Sequence, residues 1–228
     1  MALVSGAANR PALPAGWTPV NHSSGHTFVD TTLENWDIDY SPAGRKWANA
    51  RDTKGNLWVW IPRFTYKTIA YLDDPEIKIR FSNGIVDDTT AIDGKACKKH
   101  SAFRFGTHEL TGIWFPKYAA HQDTANGNIP GFKAEKEAWR SISVNDIFNQ
   151  CINLKNHITT NTDGVDSHMV KNIEWGAAGM LAYAIGKGRP DRNSDSGYKT
   201  GYGLSGVDNT GASSTTGNMT GIFDMVGN

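Results

Sequence analysis

Cysteine is scarce in this chain of 228 residues: Cys97 and Cys151 are the only two. Two distant cysteines do not make a disulfide framework, so two free thiols from a reducing compartment are expected. An excess of charge of either sign is also missing, with 23 Lys and Arg against 23 Asp and Glu. No electrostatic footprint for nucleic acid or an anionic membrane follows. The longest apolar runs are far too short for a bilayer-spanning helix, so no membrane insertion is expected. The first twenty residues lack a basic stretch followed by an apolar one, and no signal peptide is expected. Glycine and tryptophan, in contrast, are abundant at 24 and 8 residues. Together they suggest a loop-rich fold with large aromatic anchors rather than a helical bundle.

Residues 1–27 are rich in Ala, Pro, Gly, Ser and Asn and read as an arm or linker, with Leu13 and Trp17 as anchors for a foreign groove. Residues 28–228 form the domain. In it Asp52 to Asn56 is a turn, and Leu57-Trp58-Val59-Trp60-Ile61 is a strand apolar on both faces, hence buried. Short strands follow between Asp73 and Gly94, punctuated by Ser82-Asn83-Gly84 and Asp93-Gly94. Ile113-Trp114-Phe115-Pro116 echoes Val59-Trp60-Ile61-Pro62, as two core strands leaving a sheet in similar ways. Gln122 to Gly131 reads as a polar loop.

Two helices stand out. Ser143 to Ile158 has Ser143 as its cap and Asp146 at the reciprocal position, with a stripe of Ile147, Phe148, Cys151, Leu154 and Ile158. Asp163 to Gly188 is the second and organises the rest. Asp166 or Ser167 would cap it, Val170, Ile173, Ala177, Leu181 and Ile185 recur at helical spacing, and Gly186 and Gly188 stop it. Glycines cost about 1 kcal/mol each inside a helix. Gly176 and Gly179 therefore predict a neighbour packed too close for a side chain.

Few constellations carry chemistry. Gly201-Tyr-Gly203-Leu-Ser-Gly206 matches the dinucleotide fingerprint as a string, but no helix follows it, and the fingerprint works only between strand and helix. Cys97-Lys-Lys-His100 is half a zinc site without a second pair, and reads as a basic loop. His108-Glu109 lacks the second histidine of a metalloprotease helix, and Ser205 lacks a nucleophile elbow. Asp191, Asn193 and Asp195 alternate oxygen ligands as a calcium loop does, with Tyr202 where a closing glutamate would stand. An optional calcium, or an ordinary polar turn, are the two readings of that loop.

Trp139-Arg140-Ser-Ile142-Ser-Val144, then Asp166-Ser167-His168-Met169-Val170-Lys171-Asn172-Ile173-Glu174-Trp175-Gly176-Ala177, then Thr216-Gly217-Asn218-Met-Thr220-Gly221-Ile222-Phe223-Asp224-Met225-Val-Gly227-Asn228 resemble phage and prophage proteins of the formylglycine-generating-enzyme-like group. Val59 to Phe64 and Gly112 to Trp114 also fit, so the resemblance covers roughly residues 57–228. It implies an α+β, C-type-lectin-like domain: two helices on a twisted, mostly antiparallel sheet with long loops. The oxidase branch keeps its cysteine pair beyond the Gly-Asn motif, where neither Cys97 nor Cys151 falls. The sulfoxide-synthase branch needs a further histidine-bearing helical domain. The ligand-display branch remains, and implies a non-enzymatic virion protein of tail, fibre or surface, including the retroelement-diversified type.

That branch places binding in the C-terminal loops, with Tyr198, Lys199, Tyr202 and Asn209 as candidates and a host surface glycan or protein as ligand. The arm would join other virion proteins, and a homo-oligomer is expected. A purely structural decoration subunit and a truncated oxidase are the alternatives. Gly227-Asn228 is a turn signal after an apolar stretch, so the natural chain is expected to continue past it.

Overall fold

The computed structural model describes residues 4–20, 47–69, 76–187, 201–203, 206–208 and 220–225. The architecture is α+β, and its sheets are mostly antiparallel. The strands of the N-terminal half are β1 (Val4–Ser5), β2 (Thr18–Val20), β3 (Asn49–Arg51), β4 (Leu57–Pro62), β5 (Phe64–Ile69), β6 (Glu76–Phe81) and β7 (Lys98–Lys99). Beyond them lie the hairpin of β8 (Arg104–Phe105) and β9 (His108–Glu109), β10 (Gly112–Pro116), and the hairpin of β11 (His121–Asp123) and β12 (Ile129–Gly131). Helices α1 (Val144–Asn153), α2 (Lys155–Ile158) and α3 (Asn172–Ala182) follow, and then a last hairpin of β13 (Gly201–Gly203) and β14 (Gly206–Asp208). One four-stranded sheet has the order β1-β6-β5-β7, with β1 parallel to β6; the other is antiparallel in the order β10-β4-β3-β2.

Strand β4 lies between two cores, as its apolar run predicts. Val59 and Ile61 point into a cluster with Phe64, Ile79, Phe103, Phe115 and Leu181. Trp58, on the opposite side by strand alternation, packs with Trp17, Phe132, Leu154 and Ile158. The echoing segment, β10, is the direct partner of β4, with Trp114 opposite Trp60 and Gly112 opposite Pro62. The two similar strands therefore pair with each other. A side chain at Gly112 would strike Trp60, whose ring lies 2.4 Å from where its Cβ would stand.

Between β4 and β5 a single residue, Arg63, carries the chain from one sheet to the other. It is 3% exposed. Its Nε donates to Asp87 at 2.8 Å, Nη2 to Glu109 at 2.7 Å, and Nη1 to the Phe103 and Leu110 carbonyls at 3.1 and 3.0 Å. A buried charge is tolerated only when paired and hydrogen-bonded in this way. The Asp52 turn is equally complete: its carboxylate accepts from the Lys54 and Asn56 amides, the Asn56 side chain and the Trp58 indole.

Several expectations are corrected. The arm, residues 1–27, contributes β1 and β2 to the two sheets, and the groove that takes Trp17 belongs to this chain. The Trp17 indole donates to the Ile158 carbonyl at 2.7 Å and stacks on Trp58 with ring centres 5.2 Å apart. The composition of the segment hid the two ring contacts of Trp17, with Trp58 and Trp114, and two strand pairings. Gln122 to Gly131 is largely the β11–β12 hairpin rather than a loop, because Gly127 adopts a positive φ of 89° and lets the chain turn back.

The first helix begins at its Ser143 cap, whose Oγ accepts from the Asp146 amide at 3.1 Å. Of its expected stripe Leu154 and Ile158 are buried, while Phe148 is 50% exposed. The second helix starts nine residues later than the Asp163 turn suggests. Ser167 is drawn away to α1 and α2, donating to the Ile152 carbonyl and accepting from the Lys155 amide. Glu174 supplies the cap instead, accepting from the Lys171 amide at 2.8 Å. Ala177, Leu181 and Ile185 are buried as the period predicts, whereas Val170 and Ile173 are exposed.

The tight-packing reading of the glycines is also corrected. A Cβ at Gly176 would meet nothing within 4 Å, and one at Gly179 would meet only Trp175 of its own helix, at 3.6 Å. The buried face of α3 is instead formed by Ala177, Ala178, Leu181 and Ala182.

Candidate functional site

A broad cleft of about 1430 Å³ runs between the second sheet, the 161–170 loop and the N-terminal half of α3. Its floor is aromatic. Trp58, Trp17, Trp114 and Trp60 form a continuous row, with successive ring centres 5.2, 5.4 and 5.3 Å apart. The N-terminal segment holds one end of that row, because the Trp114 indole donates to the Ala12 carbonyl at 3.2 Å and the Trp60 indole to the Asn9 carbonyl at 3.0 Å.

The wall is built around His168. Its Nδ1 bonds Asp166, and its Nε2 bonds Glu174 at 2.9 Å. Phe105 stacks on the imidazole, with centres 5.5 Å apart and planes 26° apart, and Lys171 Nζ lies 4.4 Å from the Phe105 ring centre. The Glu174 hydrogen bond, together with that of Asp166, outweighs burial and raises the pKa of His168 above its ordinary 6.5. Glu174 moves down from 4.5: burial pushes it up, but His168 and the Lys171 amide overcome that. Both directions follow from mutual stabilisation of the charged forms of His168 and Glu174. The spacing Asp166-x-His168-x5-Glu174 carried this signal in the sequence, once a helix start at Lys171 is known.

The far lip is the segment Thr220 to Met225. Ile222 and Phe223 are buried, and Asp224 Oδ2 accepts from the Ala119 amide at 3.2 Å. Positive φ at Gly221 and Asp224, 84° and 62°, bends the chain on both sides, so this apolar stretch makes a single bridge rather than the strand its content suggests. Trp175 closes the lip: its indole donates to the Met225 carbonyl at 2.9 Å, while the side chain stays 41% exposed.

Of the expected ligand-facing residues, Tyr198, Lys199 and Asn209 lie outside the described residues, as do the calcium candidates Asp191, Asn193 and Asp195. Tyr202 is described by its backbone, which pairs with Val207 in the β13–β14 hairpin. The glycine string Gly201 to Gly206 thus spans two antiparallel strands, without the strand-to-helix turn that a pyrophosphate needs. His100 and Cys97 are buried, and His100 sits among Phe64, Tyr66 and Phe103, where burial lowers its pKa to about 4. Glu109 is engaged by Arg63 at the sheet corner. Among the described residues, no group of three His, Cys, Asp or Glu side chains could hold a metal ion, and no helix is long and apolar enough to cross a membrane.

The described residues thus define an α+β fold with mostly antiparallel sheets and an aromatic cleft. No family model matches the chain. No curated protein matches it at a significant level.

Proposed function

We propose that this chain is a C-type-lectin-like ligand-display domain carried on a phage particle, where it binds a ligand on the host surface without catalysing a reaction. One observation supports the reading above the others: a wide cleft floored by aromatic rings, whose lip is the Thr220–Met225 segment of the motif that carries the resemblance. Concave, mostly apolar sites with a few placed polar groups are where proteins take ligands. In that wall His168 is bonded on both ring nitrogens, to Asp166 and to Glu174. The reading keeps Tyr198, Lys199, Tyr202 and Asn209 of the C-terminal loops as ligand-binding residues, and a homo-oligomer would multiply the sites.

Calcium at Asp191, Asn193 and Asp195 belongs to this proposal as an optional stabiliser of those loops. An antibody raised against the domain should label purified particles at an exposed position and block their adsorption to cells. Particles that carry no label, or that label without any loss of adsorption, would sink it.

A further inference from the structure

Helix α1 is amphipathic in sequence, yet none of its ten residues is buried. Val144, Phe148 and Ile152 stand four apart and so form one line along its flank, 73%, 50% and 39% exposed. The line runs about 12 Å, at 1.5 Å of rise per residue. Beyond its end the apolar surface goes on. Ser167 Oγ donates to the Ile152 carbonyl and accepts from the Lys155 amide, both at 3.1 Å, which ties the following loop to the end of the helix. From that loop into α3, Met169, Val170 and Ile173 are exposed as well. A helix this short is marginal by itself in water and draws its stability from packing of its apolar side. An exposed apolar stripe of this kind marks a place where another surface docks.

We infer that this stripe is a two-fold interface, on which α1 of a second copy of the chain lies antiparallel. The side chains beside it select that occupant. A two-fold axis sets each residue against the same patch of its copy, so several charges of one sign would repel across it. Helix α1 carries one charged residue, Asp146, whose carboxylate accepts from the Ser143 hydroxyl at 2.7 Å. Its other polar residues are Asn145, Asn149, Gln150 and Asn153. A carboxamide both donates and accepts, so it can bond its own copy. Without Lys or Arg, α1 lacks what holds an amphipathic helix on an anionic membrane. With the axis at Phe148, that ring meets its copy and Val144 meets Ile152. A central aromatic ringed by smaller contacts is the usual energetic centre of an interface. Six partly exposed side chains supply on the order of a few hundred Å², below the roughly 800 Å² per partner of a standard interface. The dimer is therefore one that forms and dissolves with concentration. The pairing is the homo-oligomer of the ligand-display reading, and rests on that reading for its purpose.

Sedimentation velocity of the full chain over a range of concentrations reads the interface. Wild type should pass from 24.9 kDa to twice that mass as concentration rises. Phe148→Asp should keep the melting curve of dilute wild type and weaken association at least about thirtyfold, the loss of one central hot spot. Val86→Asp, which puts the same charge on an exposed apolar residue outside the stripe, should leave association unchanged. Should Phe148→Asp melt early, Val144→Asp decides instead, at the most exposed point of the stripe. A wild type that stays monomeric at every concentration, a dimer that Phe148→Asp leaves intact, or one that Val86→Asp breaks overturns the interface. A monomer whose stripe cross-links to a different protein of the particle assigns the face to that protein, and overturns it too. Monomers whose antibody still labels particles and blocks adsorption would leave the display reading standing. A dimer whose antibody labels no particle would leave the interface standing without it.

Discussion

Two histidines set opposite slopes on the stability of this protein. His100 is held neutral in an aromatic cage with a pKa of about 4, below its ordinary 6.5. Between those values the unfolded chain binds the extra proton, so stability rises with pH through that window. His168 is raised instead by Glu174 and Asp166. Its contribution is complete below 6.5 and is lost as pH rises through the folded value. Melting temperature should therefore peak near neutral-to-slightly-acid pH. Replacing His168 with Asn should flatten the alkaline side and leave the acid side in place. An alkaline limb identical in the variant would remove the two-carboxylate clamp from the account. Arg63 gives a second residue-scale prediction. Lysine cannot reproduce four placed donors, and Arg63→Ala leaves Asp87 buried without its guanidinium. A loss of about 3–5 kcal/mol is expected, read as a lower urea midpoint at unchanged slope.

At the scale of elements, the N-terminal segment and α3 depart furthest from their sequence readings. The segment up to Val20 places a strand in each large sheet and Trp17 in the second core. Removing residues 1–20 should thus abolish the cooperative melt rather than release a trimmed domain. Trp17→Ala, the milder change, should cost about 3–5 kcal/mol, or roughly 10 °C in melting temperature for a chain of this size. A trimmed protein with an unaltered melt would return the segment to the status of an arm. In α3, Leu181→Ala should cost about 2–5 kcal/mol because Leu181 is wholly buried. Gly179→Leu should cost nothing comparable. The contrast between the two is the direct measure of which face of the helix meets the core.

For the whole molecule, what the sequence determined by itself is what acts over a few residues. Ser143 caps α1, Asp52 collects its turn, and the doubly apolar run is buried on both faces from Trp58 to Ile61, with Leu57 half-buried, each as its local pattern requires. Caps, turns and periodicity depend on neighbours along the chain, so they are readable there. The period of α3 likewise marked Ala177, Leu181 and Ile185 as buried. Only the tertiary structure decided where the partners are. It paired Trp114 with Trp60, seated Trp17 on Ile158 across 141 positions, and drew Ser167 from its helix to α1 and α2. It also set His168 between its two acids and left Gly179 facing Trp175 instead of a second element. An apolar residue announces that it will leave water, because burial is non-directional. Which surface it leaves water for depends on shape and on hydrogen bonds between segments far apart in sequence, and those exist only once the chain has closed on itself.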